Sequence, residues 1–203
     1  MVQESPVTRA SLLVRLRDSS NHEAWREFHQ LYSPLVYGFV RNRGLQDADA
    51  ADLLQEVLRS VSGSIGRLDY DKQKGGFRAW LFTITRNRLS TYLSVRRATT
   101  VGADSAIQQR LDAAPDRSSS MEEEWEREFQ RQLTSQAMQT IESEFEDRTW
   151  QAFWLTAVDG VSAANVSENL GMSTGAVYVA KSRVLARLKT EIQRLQTEQE
   201  FSS

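Results

Sequence analysis

The sequence contains no cysteine, and this absence removes several classes of function at once. Without thiols there is no disulfide framework, no thiolate zinc site and no cysteine nucleophile. Only three prolines and ten glycines occur in 203 residues, which favours a mainly helical protein. No apolar run approaches the roughly 20 residues of a membrane span, and no signal peptide opens the sequence. We therefore predict a cytoplasmic protein.

Signals of catalysis and of cofactor binding are equally scarce. Neither glycine-rich phosphate-binding motif, G-x-x-x-x-G-K-[ST] or G-x-G-x-x-G, occurs in the sequence. His22 and His29 share one helical face, but without further ligands nearby they are better explained as surface histidines than as a metal site. We predict that the protein is not an enzyme and that it binds no metal and no cofactor.

Positive and negative charges are segregated along the chain, although the net charge is only −2. Residues 67–97 contain eight Lys or Arg and two Asp, whereas residues 121–170 contain eleven Asp or Glu and three Arg. Residues 171–189 contain four Lys or Arg and no acid. Two basic stretches separated by an acidic one indicate two nucleic-acid surfaces with a different partner in between. Solvated helix faces are the simpler alternative.

The helical spacing of apolar residues organises the chain into two halves. Four helical patterns occupy the first half, over residues 8–18, 22–42, 49–65 and 77–97. The second half begins at the acidic stretch from residue 121, and small and polar residues with a serine run fill the interval. We predict an all-α fold of two small helical domains, residues 1–98 and 121–203, joined by a flexible linker over 99–120.

Residues 159–188 have the pattern of a helix-turn-helix, whose second helix enters the DNA major groove. Ser162 and Ser173 suit the two N-caps, and Gly171 can take the left-handed conformation of a tight turn. An ordinary helical hairpin with a basic outer face is the plainer alternative. The predicted core residues here and just before are Trp150, Phe153, Trp154, Val158, Val177, Val184, Leu185 and Leu188. The outward residues of the second helix are Thr174, Gly175, Tyr178, Lys181, Ser182, Arg183 and Arg187.

The first half carries a more specific pattern. Residues 47–61 read DADAADLLQEVLRSV, and residues 75–98 read GGFRAWLFTITRNRLSTYLSVRRA. Both segments resemble region 2 of the extracytoplasmic-function sigma factors, with its D-L-x-Q-E-V and F-x-x-W-L-x-x-I-x-R-N patterns. The C-terminal block resembles region 4 of the same family. It departs from that region where Ala163, Ala164 and Asn165 replace a tyrosine and two acids, and where 178–180 replace basic or polar residues.

The resemblance implies an all-α promoter-specificity subunit with bacterial core RNA polymerase and promoter DNA as partners. It also implies a monomer when free and an anti-sigma factor or another inhibitor. The helix carrying Asp52, Gln55 and Glu56 would bind the polymerase, with Leu53, Leu54, Val57 and Leu58 packed behind it. The −10 element would be bound by Tyr70, Lys72, Lys74, Arg78, Arg86, Asn87, Arg88, Arg96 and Arg97. The −35 element would be bound by Ser173, Thr174, Tyr178, Lys181, Ser182, Arg183 and Arg187.

The residue types in the first basic stretch suit the binding of an opened DNA strand. Capturing an opened strand needs cations for its backbone and aromatic or apolar surfaces for unstacked bases. Residues 67–97 supply both, and the rings there are Tyr70, Phe77, Trp80, Phe82 and Tyr92. The spacing of Phe77 and Trp80 is that of a core stripe, so we assign these two rings to the core.

Two other classes of protein remain possible from the sequence. A stand-alone helix-turn-helix regulator would use its first half to sense a signal or to dimerise, and it would bind a palindromic site as a stable dimer. An adaptor or sequestering protein would bind polymerase without directing initiation. Dependence on polymerase distinguishes the sigma-like interpretation from the first, and promoter-dependent initiation distinguishes it from the second.

Overall fold

The computed structural model describes residues 10–68, 76–99 and 117–200, and over these residues all regular structure is helical, as predicted. The α-helices are α1 (Ala10–Leu16), α2 (His22–Asn42), α3 (Asp47–Ser64), α4 (Gly76–Thr99), α5 (Arg117–Ile141), α6 (Asp147–Phe153), α7 (Ala163–Leu170) and α8 (Thr174–Glu200). Short 3-10 helices follow α3 and α5, at Ile65–Arg67 and Glu142–Glu144, and a π-helical turn, Trp154–Val158, follows α6.

The described residues form two compact units that divide between residues 130 and 131. The sequence placed the start of the second domain at residue 121, ten positions earlier. The boundary moves because the beginning of α5 packs with the first unit. The predicted linker is also shorter than 99–120, because α4 runs to Thr99 and α5 begins at Arg117. The remaining linker residues lie outside the described part of the chain.

Local signals explain where the helices of the first unit begin. The side-chain oxygen of Asn21 accepts a hydrogen bond from the amide of Ala24 at 3.0 Å, which caps α2. The first turn of α3 contains Asp47 and Asp49, where the helix dipole favours negative charge. Gly44 takes a φ of 86° between the two helices, in the left-handed region that glycine tolerates.

Aromatic rings fill the core of the first unit in two groups. The ring centroids of Phe28 and Phe77 lie 5.9 Å apart in one group. In the other, the centroid of Trp125 lies 5.3 Å from that of Phe39 and 5.6 Å from that of Phe82. Most of these pairs meet edge to face, the favourable arrangement for aromatic quadrupoles. Helices α2 and α4 therefore pack directly against each other, and α5 joins them through Trp125.

Polar contacts hold the beginning of α5 in the same place. The Nε of Arg43 lies 2.6 Å from a carboxylate oxygen of Glu124, and the Nδ2 of Asn42 donates to Glu128 at 2.9 Å. Trp125 is buried beside these pairs. The acidic stretch at the start of α5 thus belongs to the first unit.

Helices α3 and α4 pack antiparallel. The guanidinium of Arg96, near the end of α4, lies 3.1 Å from Asp49 at the start of α3. Farther along, the Nε of Arg88 donates to the Oγ of Ser60 at 2.8 Å. This pairing brings the acidic helix and the basic helix of the first unit side by side.

The predicted helix-turn-helix is present in the second unit. Ser162 caps α7 by accepting from the amide of Asn165 at 3.3 Å, and Ser173 caps α8 by accepting from the amide of Ala176 at 3.1 Å. Gly171 between them has a φ of 59°, the left-handed turn that the sequence predicted. The core below the turn consists of Ala152, Val166, Val177 and Ala180.

Three residues predicted to be buried in this unit are instead exposed. Trp154 and Val158 are 40% and 49% exposed because they belong to the π-helical turn. Its i to i+5 bonding breaks the 3.6-residue periodicity on which the prediction depended. Leu185 is 43% exposed, since the buried row of α8 runs through its neighbours Val184 and Leu188.

An ion-pair network stabilises the C-terminal half of α8. The Nε and Nη2 of Arg187 donate to the two carboxylate oxygens of Glu144, both at 2.7 Å. Arg187 also donates to Glu191 at 3.0 Å, and Arg194 donates to Glu191 at 2.5 Å. Because Glu191 is only 1% exposed, these bonds offset the cost of its burial. The hydrogen bond from Arg194, more than that from Arg187, lowers the pKa of Glu191.

We expect Trp125→Ala to lower the free energy of unfolding by about 3–5 kcal/mol, because it removes a buried ring between Phe39 and Phe82. Trp154→Ala is the matched control, since its ring is 40% exposed. Calorimetric unfolding of the full chain measures both variants. A loss below about 1 kcal/mol at Trp125, or equal losses at both positions, would contradict this packing.

We expect Glu191→Gln to reduce the acid sensitivity of folding. Because the folded pKa of Glu191 lies below its ordinary value of 4.5, its ionised form contributes stability above about pH 4.5. That contribution is lost as the pH falls through the folded pKa. The variant should lose about 1–3 kcal/mol at pH near 7 and converge on the parent in acid. Urea unfolding across this range tests the expectation, with the exposed Glu168→Gln as control.

Candidate nucleic-acid interface

One face of α3 is acidic and exposed to solvent. Asp52, Gln55 and Glu56, the residues predicted to contact polymerase, are all exposed, while Leu53 and Val57 are buried behind them. Leu54 and Leu58, predicted to pack there too, are partly buried.

Two members of this acidic face already have an intramolecular partner. Arg59 forms an ion pair with Glu56 and donates to the side-chain oxygen of Gln55 at 3.4 Å. Asp52 makes no ion pair with any residue that the structure describes. Its carboxylate is therefore available to a partner.

The middle of α4 presents three of the predicted DNA-binding residues on one short stretch. Asn87 and Arg88 are exposed, and Arg86 is partly buried with its guanidinium carbon 5.7 Å from the ring centroid of Phe82. This stacking leaves the edge of the guanidinium free to bind a phosphate. The bond from Arg88 to Ser60 holds the second cation beside α3. Two positioned guanidinium groups and an amide can bind a nucleic-acid backbone.

Farther along α4, Arg96 is exposed and lies between two partners. It pairs with Asp49 and donates to the hydroxyl of Tyr92 at 3.3 Å. Burial, followed by the hydrogen bond to Asp49, raises the pKa of Tyr92. Arg97 lies in the same helix. The remaining predicted contacts Tyr70, Lys72 and Lys74 lie outside the described residues.

Arg78 differs from the other cations of α4, because α5 already engages it. Its guanidinium carbon lies 4.1 Å from the ring centroid of Phe129, and its Nη2 lies 3.3 Å from Glu126. The sequence analysis above missed this contact, since 48 positions separate the two charged residues. The pattern of Trp125 and Phe129 inside an acidic stretch was the available clue, four positions apart on one helical face.

The rings of α4 are mostly used for packing. Phe77 and Phe82 are 2% and 5% exposed, so neither can stack on a base without leaving the core. Trp80 is partly buried against Phe77, with centroids 5.4 Å apart. The assignment of Phe77 to the core is confirmed, and Trp80 lies at its edge.

In the second unit, the predicted DNA-binding residues of α8 separate into two sets. Thr174, Tyr178, Ser182 and Arg183 are exposed on the outer side of the helix. Ser173 is exposed as well, but its hydroxyl oxygen is used as the N-cap. The exposed set spans the first two to three turns of the helix, the part that contacts base edges in helix-turn-helix proteins.

Lys181 and Arg187 form the second set, and both are partly buried with intramolecular partners. The Nζ of Lys181 donates to the backbone oxygen of Thr156 at 3.3 Å, and Arg187 binds Glu144 and Glu191. The hydrogen bonds from Glu144 and then Glu191 raise the pKa of Arg187. Lys181 satisfies a carbonyl at the negative end of the preceding helical segment.

Over the residues that the structure describes, no three His, Asp or Glu side chains come together as a metal site would require. Within the same residues, no helix combines the length and the apolar character needed to cross a membrane.

Comparison with known proteins gives one family match. Residues 28–99 match the family model of sigma-70 region 2. The ECF RNA polymerase sigma factor RpoE of Cereibacter sphaeroides is 30% identical over 78 residues, which are 38% of this chain. The chain spans only 42% of the length of that curated relative. A solved structure of CnrH in complex with the cytosolic domain of CnrY covers 92% of this chain and 97% of its own, at 19% identity and a TM-score of 0.36.

The family match includes the elements that form the two faces of the first unit. Its residues cover most of α2 and all of α3 and α4, and so include both the acidic surface around Asp52 and the basic surface around Arg86 and Arg88. The helix-turn-helix of the second unit lies outside the matched residues. The comparisons thus show similarity to sigma-70 region 2 over residues 28–99 of this chain.

Proposed function

We propose that this chain is a promoter-specificity subunit of bacterial RNA polymerase and performs no chemistry of its own. The observation that carries the proposal is the pairing of an exposed acidic face on α3 with a basic face on α4, inside residues that match sigma-70 region 2. The first face would bind core polymerase, and the second would hold the opened −10 element.

The second unit supports the same proposal. Its α8 is capped, exposed along its first turns and preceded by a left-handed glycine turn, as a helix that enters a major groove must be. This helix would bind the −35 element as duplex DNA. Two DNA-binding units in one chain raise each other's effective concentration at a promoter, so two weak contacts suffice for specific binding.

Run-off transcription is the decisive experiment. Purified bacterial core polymerase would be supplied with DNA from the region upstream of the coding sequence for this chain, with and without the protein. Initiation that depends on the chain supports the proposal. A chain that neither initiates nor binds core polymerase, and instead forms a dimer on a palindromic duplex, would establish the regulator alternative.

The double variant Asp52→Arg with Gln55→Ala should weaken binding to core polymerase about 100-fold or more, because it reverses charge on the exposed face of α3. Both side chains are exposed, so circular dichroism and thermal unfolding should not change. Glu23→Arg with Gln30→Ala on α2 is the matched control, and it should bind polymerase normally. Equal binding by the two double variants would reject the assigned surface.

The double variant Arg86→Ala with Arg88→Ala should reduce open-complex formation about tenfold or more while leaving polymerase binding intact. The change removes two guanidinium groups that would bind the opened strand. Permanganate reactivity of thymines near the start site measures opening. Arg86→Lys with Arg88→Lys keeps the charge and should restore part of the opening. Full opening by the alanine variant would exclude these residues from the −10 contact.

A further inference from the structure

The outer surface of α8 carries two exposed hydrophobic side chains where a recognition helix contacts bases. Tyr178 and Val179 are 62% and 58% exposed, although the flanking Val177 and Ala180 are buried. Both exposed side chains lie in the second turn of a helix that begins at Thr174. Tyr178 is among the residues predicted to bind the −35 element, whereas Val179 is not.

An exposed valine beside an exposed tyrosine has no role in the described packing of this unit. The core cluster under the helix-turn-helix consists of other residues, including Val177 and Ala180 from the same helix. Two adjacent apolar side chains in solvent lose the free energy that their burial would yield. A ligand with an apolar group would recover it.

The cations of α8 that could read guanine are mostly withdrawn from this surface. Lys181 donates to the backbone of Thr156, and Arg187 is held by Glu144 and Glu191. Arg183, one turn after Val179, makes no ion pair with the described residues. Lys189 is exposed but lies in the fifth turn, so within the first three turns of α8 a forked contact to guanine is limited to Arg183.

The major groove displays one apolar group that distinguishes a base, the C5-methyl of thymine. A valine isopropyl group and a tyrosine ring can contact such a methyl, and the isopropyl group has no donor or acceptor for a G·C pair. We propose that Tyr178 and Val179 read thymine methyl groups, so that the −35 element of this sigma factor carries a thymine at the position they face. This inference rests on the proposed function and specifies its DNA target.

The size of the effect follows from burial of one methyl group. Removing a buried CH₂-sized group costs about 0.8 kcal/mol, which corresponds to roughly a fourfold change in affinity. Replacing the contacted thymine by deoxyuridine deletes only the methyl and keeps base pairing. Deoxyuridine at the contacted position should therefore lower initiation about fourfold. The same substitution at thymines that the helix does not face should leave initiation unchanged.

The test uses holoenzyme assembled from core polymerase and the full chain. The −35 block of a template that supports initiation is first randomised and selected, and deoxyuridine is then substituted at each enriched thymine. We expect one or two positions where uridine lowers initiation about fourfold. In the variants Val179→Ala and Tyr178→Ala, the ratio of initiation on the thymine template to that on the uridine template should approach one. Arg183→Ala is the control, and it should weaken thymine and uridine templates alike.

Different outcomes test the methyl contact and the proposed function separately. Initiation on the original template with equal activity of thymine and uridine at every enriched position would overturn the methyl contact and leave the proposed function standing. Enrichment of G·C pairs whose selection depends on Arg183 alone would overturn it as well. Failure to initiate on any template, together with failure to bind core polymerase, would overturn both.

Discussion

The indole of Trp125 lies between Phe39 of α2 and Phe82 of α4, and the packing of the first unit depends on this contact. Trp125 lies outside the residues that match sigma-70 region 2, so the core of that region is completed by a helix that follows it in the chain. Aromatic burial of this kind supplies several kcal/mol, a large share of the net stability of a small domain. The polar pairs around the indole then fix the register of α5 against α2.

Intramolecular ion pairs account for part of the charge segregation seen in the sequence. Glu124 and Glu126 at the start of α5 face Arg43 and Arg78, and Glu144 faces Arg187. Part of the acidic stretch that the sequence reserved for a separate partner is thus used inside the chain. Within the two basic stretches, the described cations without an ion pair include Arg86 and Arg88 in the middle of α4 and Arg183 and Lys189 of α8.

Local chemistry was predictable from the sequence, and long-range pairing was not. The caps at Ser162 and Ser173 and the turn at Gly171 were predicted correctly because each depends on residues within a few positions. The exposure of Trp154 was missed because a π-helical turn has no simple sequence signature. Thr156, the partner of Lys181, and Glu144, one partner of Arg187, lie 25 and 43 positions away, so only the i,i+4 pair of Arg187 with Glu191 could be read locally.

Arg78 would couple the packing of α5 to the binding of a nucleic acid. Its guanidinium is held by Glu126 and Phe129, and a nucleic-acid phosphate bound to the same nitrogen would compete with Glu126. By thermodynamic reciprocity, a ligand that competes with Glu126 for Arg78 would weaken this contact between α4 and α5 by the same free energy with which the contact opposes the ligand. The packing of α5 against α4 would thereby respond to nucleic-acid binding, and the fluorescence of the buried Trp125 would report that response.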